Sequence, residues 1–180
     1  VVPANGAYRE REVAHVLRDC TPSAAIVDDP QWHTWIGELA PATVVTTSAV
    51  DLPDGPPPAL DEVAPSDAAI IGYTSGTTGA PKGAVLTHAN VLAGAAAVQL
   101  AWRWTDADRL VLCLPLFHMH GLGVGVNGTV AAGATAVVLP EFAPDAVFDA
   151  IRDHGATMLF GVPTMYAFLA EHPRLPELSA

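Results

Sequence analysis

The chain has 180 residues, 51% apolar and 15% charged, a balance that suits one globular domain with a sizeable core and argues against a disordered chain. A formal net charge of −11 supplies no basic surface, which argues against nucleic acid or an anionic membrane as partner. The most apolar region, residues 110–140, is interrupted by Pro115, His118, His120 and repeated glycines well before the roughly 20 residues a membrane-spanning helix needs, so it reads as buried core with no transmembrane segment.

Residues 7–19, AYREREVAHVLRD, place Val13, Val16 and Leu17 at helical spacing, and the short run AAIVD after them suits a buried strand. A second helix and strand pair is expected at QWHTWIGELA and TVVTT. Residues 51–66 hold too many prolines for regular structure and read as a surface connection, with the main sheet resuming at Asp67. DAAIIGYT then leads as a strand into a glycine-rich loop and KGAVLTH leaves it as another, which puts the loop at the tip of a hairpin. Thr87 is placed to cap a helix with Val91, Ala95, Val98 and Trp102 on one face.

From Asp108 onward the pattern alternates: strand RLVLCLP, an apolar helix near 120–132, strand TAVVLP, helix PDAVFDAIRDHG, strand ATMLF and helix TMYAFLAEH. Such alternation predicts an α/β fold of mostly parallel strands joined by helical crossovers. Pro144 and Asp145 mark the start of the PDAVFDAIRDHG helix, Arg152 and His154 its last turn, and Gly155 its end. Ligands of open α/β sheets bind beyond the carboxyl ends of the strands, so PLFHMHG and GVPT become candidate site segments from topology alone.

The segment YTSGTTGAPKG, residues 73–83, contains the single lysine of the chain. Gly76 and Gly79 let main-chain N–H groups approach phosphate oxygens closely. Thr74, Ser75, Thr77 and Thr78 add hydroxyl donors and Lys82 a point charge, each charge-assisted bond contributing roughly 1.5 to 3 kcal/mol. Together these make a polyphosphate cradle, and the distant acidic surface is screened over about 8 Å at physiological ionic strength. The usual P-loop is absent, because Lys82 follows Pro81 and precedes Gly83.

YTSGTTGAPKGAVLTHAN closely resembles the nucleotide-binding signature of the adenylate-forming superfamily: acyl-CoA synthetases, firefly-type luciferases and peptide-synthetase adenylation domains. The likeness runs over nearly the whole chain, from VVPANGAYREREVAHVLRD through PLFHMHGL to GVPTMY. It implies part of the layered αβαβα amino-terminal domain of these enzymes, which activate a carboxylate with ATP. By the resemblance, Thr74, Ser75, Gly76, Thr77, Thr78, Gly79 and Lys82 embrace the ATP phosphates. Thr78 would meet Mg2+ directly or one step removed, and His118 would stand near the acyl carboxylate. Peptide-synthetase domains usually read SGSTG and carry a Phe-Asp pair where this chain has PLFHMHG, so the departures favour a CoA ligase with coenzyme A as cosubstrate. Within that branch, WRWTDADRLVLCLPLFH and MLFGVPTMY look most like malonyl-CoA synthetase, with fatty-acid CoA ligases sharing much of the pattern.

Several readings stay open on the residues alone. His118 and His120, two apart, would face one side of an extended segment. Two ligands are too few for a stable zinc site, and the pair reads either as buried core histidines or, with His118 orienting the carboxylate and His120 in the pocket wall, as functional. Gly161, Val162 and Pro163 are expected to end the third parallel strand, as an acyl contact or as an ordinary turn. His15, His33, His88, His154 and His172 read as surface or cap residues, and the four tryptophans as core or rim. Cys20 and Cys113 form no paired motif, which suggests reduced thiols and a cytoplasmic setting. The chain reads as an internal fragment of a longer protein whose carboxyl-terminal domain is absent, and the fragment alone is expected to be inactive. The competing functions are a non-CoA adenylating domain, a carboxylate-independent nucleotide-binding module and a noncatalytic truncated fragment.

Overall fold

The run RLVLCL has no polar residue after its first position, which in a strand means that both faces are covered. In the computed structural model, which describes residues 1–47, 62–74 and 81–179, this is the case. The chain divides into two compact units, one of Val1–Pro3, Ala64–Gly72 and Val85–Ala180, the other of Ala4–Val63 and Tyr73–Ala84.

In the first unit, β5 (Arg109–Leu112) is the centre of a three-stranded parallel sheet, between β6 (Thr135–Val138) and β7 (Met158–Leu159). Successive side chains point to opposite faces. Val111 and Cys113 pack with Val147, Phe148 and Ala150 of helix α5 (Pro144–His154) and Leu169 of α6 (Pro163–Ala170). Leu110, Leu112 and Leu114 pack on the other side with Trp104 and Phe160. Leu110, Val111 and Leu112 are at most 1% exposed, so the sheet is sandwiched between helical layers as the alternation predicts.

The expected boundaries of α5 hold: Pro144 opens it, and Gly155 closes it in the left-handed region at φ 60°, where an L side chain would be strained. Arg174 folds back on this helix, bonding Asp145, Asp149 and Glu177 while its guanidinium lies 5.3 Å from the Phe148 ring centroid. His172, expected on the surface, instead stacks on Phe148 at 5.0 Å. Asp108 ties the starts of β5 and β7, accepting from Thr105 and from the Thr157 hydroxyl; these bonds hold its carboxyl below the usual range.

Helix α3 (His88–Trp102) is capped by Thr87 and Asn90 reciprocally, as a capping box. Of the face expected to be covered, Ala95 is buried and Val91 and Val98 are half-buried, but Trp102 is 48% exposed, with its ring against Phe160 at 4.6 Å. The helix expected near 120–132 begins as a π-helix (His120–Val126) and becomes α-helical only at α4 (Asn127–Ala132). Glycine is the reason it can sit so close to the sheet. A Cβ at Gly121 would strike the Pro115 carbonyl oxygen, one at Gly125 the Leu112 side chain, and one at Gly128 the Trp104 ring.

The second unit begins with α1 (Glu10–Cys20), β1 (Ala24–Ile26), α2 (Pro30–Leu39) and β2 (Val44–Thr46), with β1 and β2 parallel. Val13, Leu17 and Ile36 form its core against Ala25, Val27 and Val45. Strands β3 (Ala68–Thr74) and β4 (Lys82–Thr87) pair with each other and carry the chain between the units. Their connection, residues 75–81, is far shorter than the dozen or so residues of a parallel crossover, so the pair is the expected hairpin. Residues 48–61, most of the proline-rich connection, lie outside the described residues. Among the described residues no helix is long and apolar enough to cross a membrane.

Phe148→Ala is expected to cost about 3 to 5 kcal/mol, and Thr87→Ala about 1 kcal/mol through the lost cap, both measured as shifts in urea unfolding.

Candidate functional site

The residues expected from the sequence to form the site fall into two groups, one in each unit. In the first unit the chain leaves β5 and turns at 115–118, where the His118 N–H donates to the Pro115 carbonyl at 3.1 Å. The His118 carbonyl then accepts from Leu122 N–H at 2.9 Å, so its backbone is held on both sides while its ring stays exposed, 4.3 Å from the Phe117 ring. The segment is a turn running into a π-helix, which corrects the extended segment expected for His118 and His120.

His120 opens that helix, its ring exposed and 6.2 Å from Phe160. Phe160 itself is buried between Trp102 at 4.6 Å and Trp104 at 5.5 Å. Gly161 and Val162 follow directly, and Pro163 is the first residue of α6 rather than the end of a strand, because β7 stops at Leu159. Its fixed φ suits a first helical position. The Tyr166 hydroxyl donates back to the Leu159 carbonyl at 3.0 Å, closing this turn. A Cβ on Gly161 would meet Met165 and Tyr166 only at ordinary contact distance, so nothing in the chain's own packing requires glycine there.

The structure therefore brings His118, His120, Gly161, Val162 and Pro163 to the carboxyl ends of two adjacent parallel strands, β5 and β7. Sequence reasoning did not single out the aromatic pair beside His120, Phe160 and its partner Trp102. The sequence placed Phe160 at the end of the strand ATMLF, but its ring partner Trp102 comes from α3, fifty-eight positions away (160 against 102).

In the second unit Thr74 and Lys82 stand at the two stems of the hairpin connection, both exposed. The Thr74 hydroxyl reaches the Lys82 carbonyl only at 3.5 Å, too long for a strong bond, and so keeps its capacity to donate elsewhere. Ser75, Gly76, Thr77, Thr78 and Gly79 lie outside the described residues. Helix α1 reaches both stems: His15 Nε2 meets the Pro81 carbonyl at 2.7 Å, and the Tyr73 hydroxyl donates to Asp19 Oδ2 at 2.6 Å. His15 is thus not the surface or cap residue expected from sequence. Burial and then the Asp19 bond push the Tyr73 phenol well above its ordinary value. Burial also raises the thiols of Cys20 and Cys113, which are both free. Among the described residues no cluster of His, Cys, Asp or Glu could hold a metal.

A three-stranded parallel sheet covered by helices on both faces defines an α/β protein of the layered class. The chain belongs to the AMP-binding enzyme family, whose model matches residues 1–180. It is 34% identical over 175 residues to a feruloyl-CoA synthase of Amycolatopsis sp., covering 96% of this chain and 35% of that protein. Among solved structures it resembles ATP-bound MatB from Rhodopseudomonas palustris, at 35% identity and a TM-score of 0.88 over 97% of this chain and 36% of that one. It also resembles a malonyl-CoA ligase in a ternary product complex with methylmalonyl-CoA and AMP, at 38% identity and a TM-score of 0.84 over 98% of this chain and 36% of that one. The chain thus spans about a third of the length of the relatives it matches. The layered α/β fold implied by the sequence resemblance is the fold observed.

Two outcomes follow from this geometry. Gly121→Ala drives a methyl group into a backbone carbonyl, and is expected to destabilise the 115–118 turn where Gly161→Ala leaves the melting temperature within about 2 °C of wild type, as a change under 0.5 kcal/mol would. The raised Tyr73 phenol contributes stability that is fully present below its unfolded value of about pH 10 and is lost as pH rises beyond it. Tyr73→Phe should remove that alkaline slope in denaturant midpoints taken across pH 8 to about 11.

Proposed function

We propose that the whole protein is an AMP-forming acid–CoA ligase: it joins a carboxylate to the α-phosphate of ATP and passes the acyl group to coenzyme A. The observation that carries this reading is the family match along all of residues 1–180, and the sequence resemblance of YTSGTTGAPKG to a nucleotide-binding signature supports it. The relatives named for feruloyl-CoA and malonyl-CoA chemistry support the CoA branch over a non-CoA adenylating domain.

In the proposed mechanism a carboxylate oxygen attacks the α-phosphorus and the bond to pyrophosphate breaks. Thr74, Ser75, Gly76, Thr77, Thr78, Gly79 and Lys82 donate to the phosphates and stabilise the charge that collects on the leaving pyrophosphate. The stems suit this task, since the Thr74 hydroxyl is weakly engaged and among the described residues no carboxylate pairs with Lys82. Magnesium enters with ATP as part of the substrate and neutralises phosphate charge, with Thr78 as its candidate hydroxyl contact. His118, its backbone fixed and its ring exposed, orients the carboxylate. His120, Gly161, Val162 and Pro163 line the acyl side, where Gly161 leaves room that the chain's own packing does not need. The CoA sulfur then attacks the acyl carbon and AMP leaves with the carboxylate oxygen.

The neighbour named a malonyl-CoA ligase makes malonate the first substrate to try. The exposed Trp102 and its partner Phe160 favour a second reading, an aromatic acid, in keeping with the feruloyl-named relatives. A cytoplasmic enzyme fits the free thiols of Cys20 and Cys113.

The test is exchange of labelled pyrophosphate into ATP by the full-length protein, with no acid and then with malonate, acetate, ferulate, octanoate and palmitate in turn. Exchange should appear only when the right acid is present. ATP hydrolysis that no acid stimulates would instead favour a carboxylate-independent nucleotide-binding module. Lys82→Ala should lower kcat/KM for ATP roughly 10- to 150-fold, the loss of one charge-assisted bond, while His118→Ala should act mainly on the acid-dependent step. The isolated segment 1–180 should form no acyl-CoA, and thioester made by it would contradict the proposed need for the rest of the protein.

A further inference from the structure

Helix α1 buries Val13 and Leu17 against the second unit's core and turns His15 and Asp19 the other way, four residues apart and therefore on one face. Each of the two bonds a different stem of the hairpin. His15 Nε2 meets the Pro81 carbonyl at 2.7 Å, and since a proline carbonyl can only accept, the imidazole donates from Nε2–H in that neutral tautomer and in the imidazolium alike. Asp19 accepts the Tyr73 hydroxyl at 2.6 Å, and the His15 ring meets Tyr73 edge-on with centroids 6.0 Å apart. These contacts span 66 and 54 positions of sequence, so they are tertiary constraints on the hairpin rather than local turns.

Tyr73 directly precedes Thr74, and Pro81 directly precedes Lys82. β3 and β4 are hydrogen-bonded neighbours, and beyond that pairing the Thr74 hydroxyl reaches the Lys82 carbonyl only at 3.5 Å. Any shift of the two stems would have to be fixed each time a ligand bound, at a cost in affinity that pre-organisation removes.

We propose that His15 and Asp19 are positioning residues for the nucleotide: α1 clasps both stems and so sets where the Thr74 hydroxyl and the Lys82 ammonium stand for a polyphosphate ligand. This rests on the reading of the hairpin as the ATP-phosphate loop. The Tyr73 phenol, pushed up by burial and by Asp19, stays protonated and donating throughout the physiological range.

The test uses the full-length protein with His15→Ala, His15→Gln, Asp19→Ala, Asp19→Asn and Tyr73→Phe, reading KM for ATP and KM for the acid in pyrophosphate exchange, ATP Kd by calorimetry, and melting temperature. His15→Ala and Asp19→Ala should each raise the ATP KM and Kd about five- to ten-fold, the effect of one lost hydrogen bond, with the acid KM unchanged. His15→Gln keeps a donor and Asp19→Asn an acceptor, so both should return to within about two-fold of wild type. ATP constants that stay at the wild-type value, or that rise together with the acid KM and are not rescued by the conservative pair, would overturn the clasp in favour of plain packing. Should the alanine variants unfold, Tyr73→Phe, which deletes one hydroxyl, must still weaken ATP binding alone; an unchanged Kd overturns the proposal. A wild-type protein that binds ATP without acid-dependent exchange removes the ligase reading only, and the Kd shifts then decide the clasp by themselves. Wild-type protein that binds no ATP overturns both.

Discussion

Burial of both faces of β5 is the constraint on which the first unit depends. Val111 and Cys113 on one side and Leu110, Leu112 and Leu114 on the other are covered by separate helical layers, so the strand has one available register and one available end. Its carboxyl end then delivers the chain to the turn at 115–118. The π-helix that follows can press against this end only because Gly121, Gly125 and Gly128 present no side chain to Pro115, Leu112 and Trp104. At His118 itself the link is backbone, its N–H on the Pro115 carbonyl and its carbonyl on the Leu122 N–H.

The second unit solves a different problem. The two stems of the glycine- and hydroxyl-rich segment are met by side chains distant in sequence. Helix α1 meets both stems from its polar face, His15 at Pro81 and Asp19 at Tyr73, while its apolar face builds the local core.

Much of this was legible in the sequence because the signals were local. The proline at the start and glycine at the end of α5, the Thr87 cap, and the strand and helix alternation after Asp108 each depend on residues within a few positions. The positions of PLFHMHG and GVPT beyond the ends of parallel strands were likewise legible. What was hidden depends on contacts across long separations. His15 and His172 looked like surface residues, because nothing near them in sequence shows Pro81 or Phe148. The Phe160 and Trp102 pair, and the exposure of Trp102, follow from how α3 lies on the sheet. The π-helical start was hidden for a related reason: its glycines read as breaks in an apolar run until the close approach to β5 gives them a purpose.

The central claim is that the hairpin serves attack of a carboxylate on the α-phosphate of ATP. It is tested most directly by giving the full-length protein a carboxylic acid labelled with oxygen-18 in its carboxyl group, with ATP and coenzyme A, and weighing the AMP formed. One labelled oxygen is expected in AMP, carried over when the acyl carbon passes to sulfur. Nucleotide products without the label, or ADP in place of AMP, would contradict it.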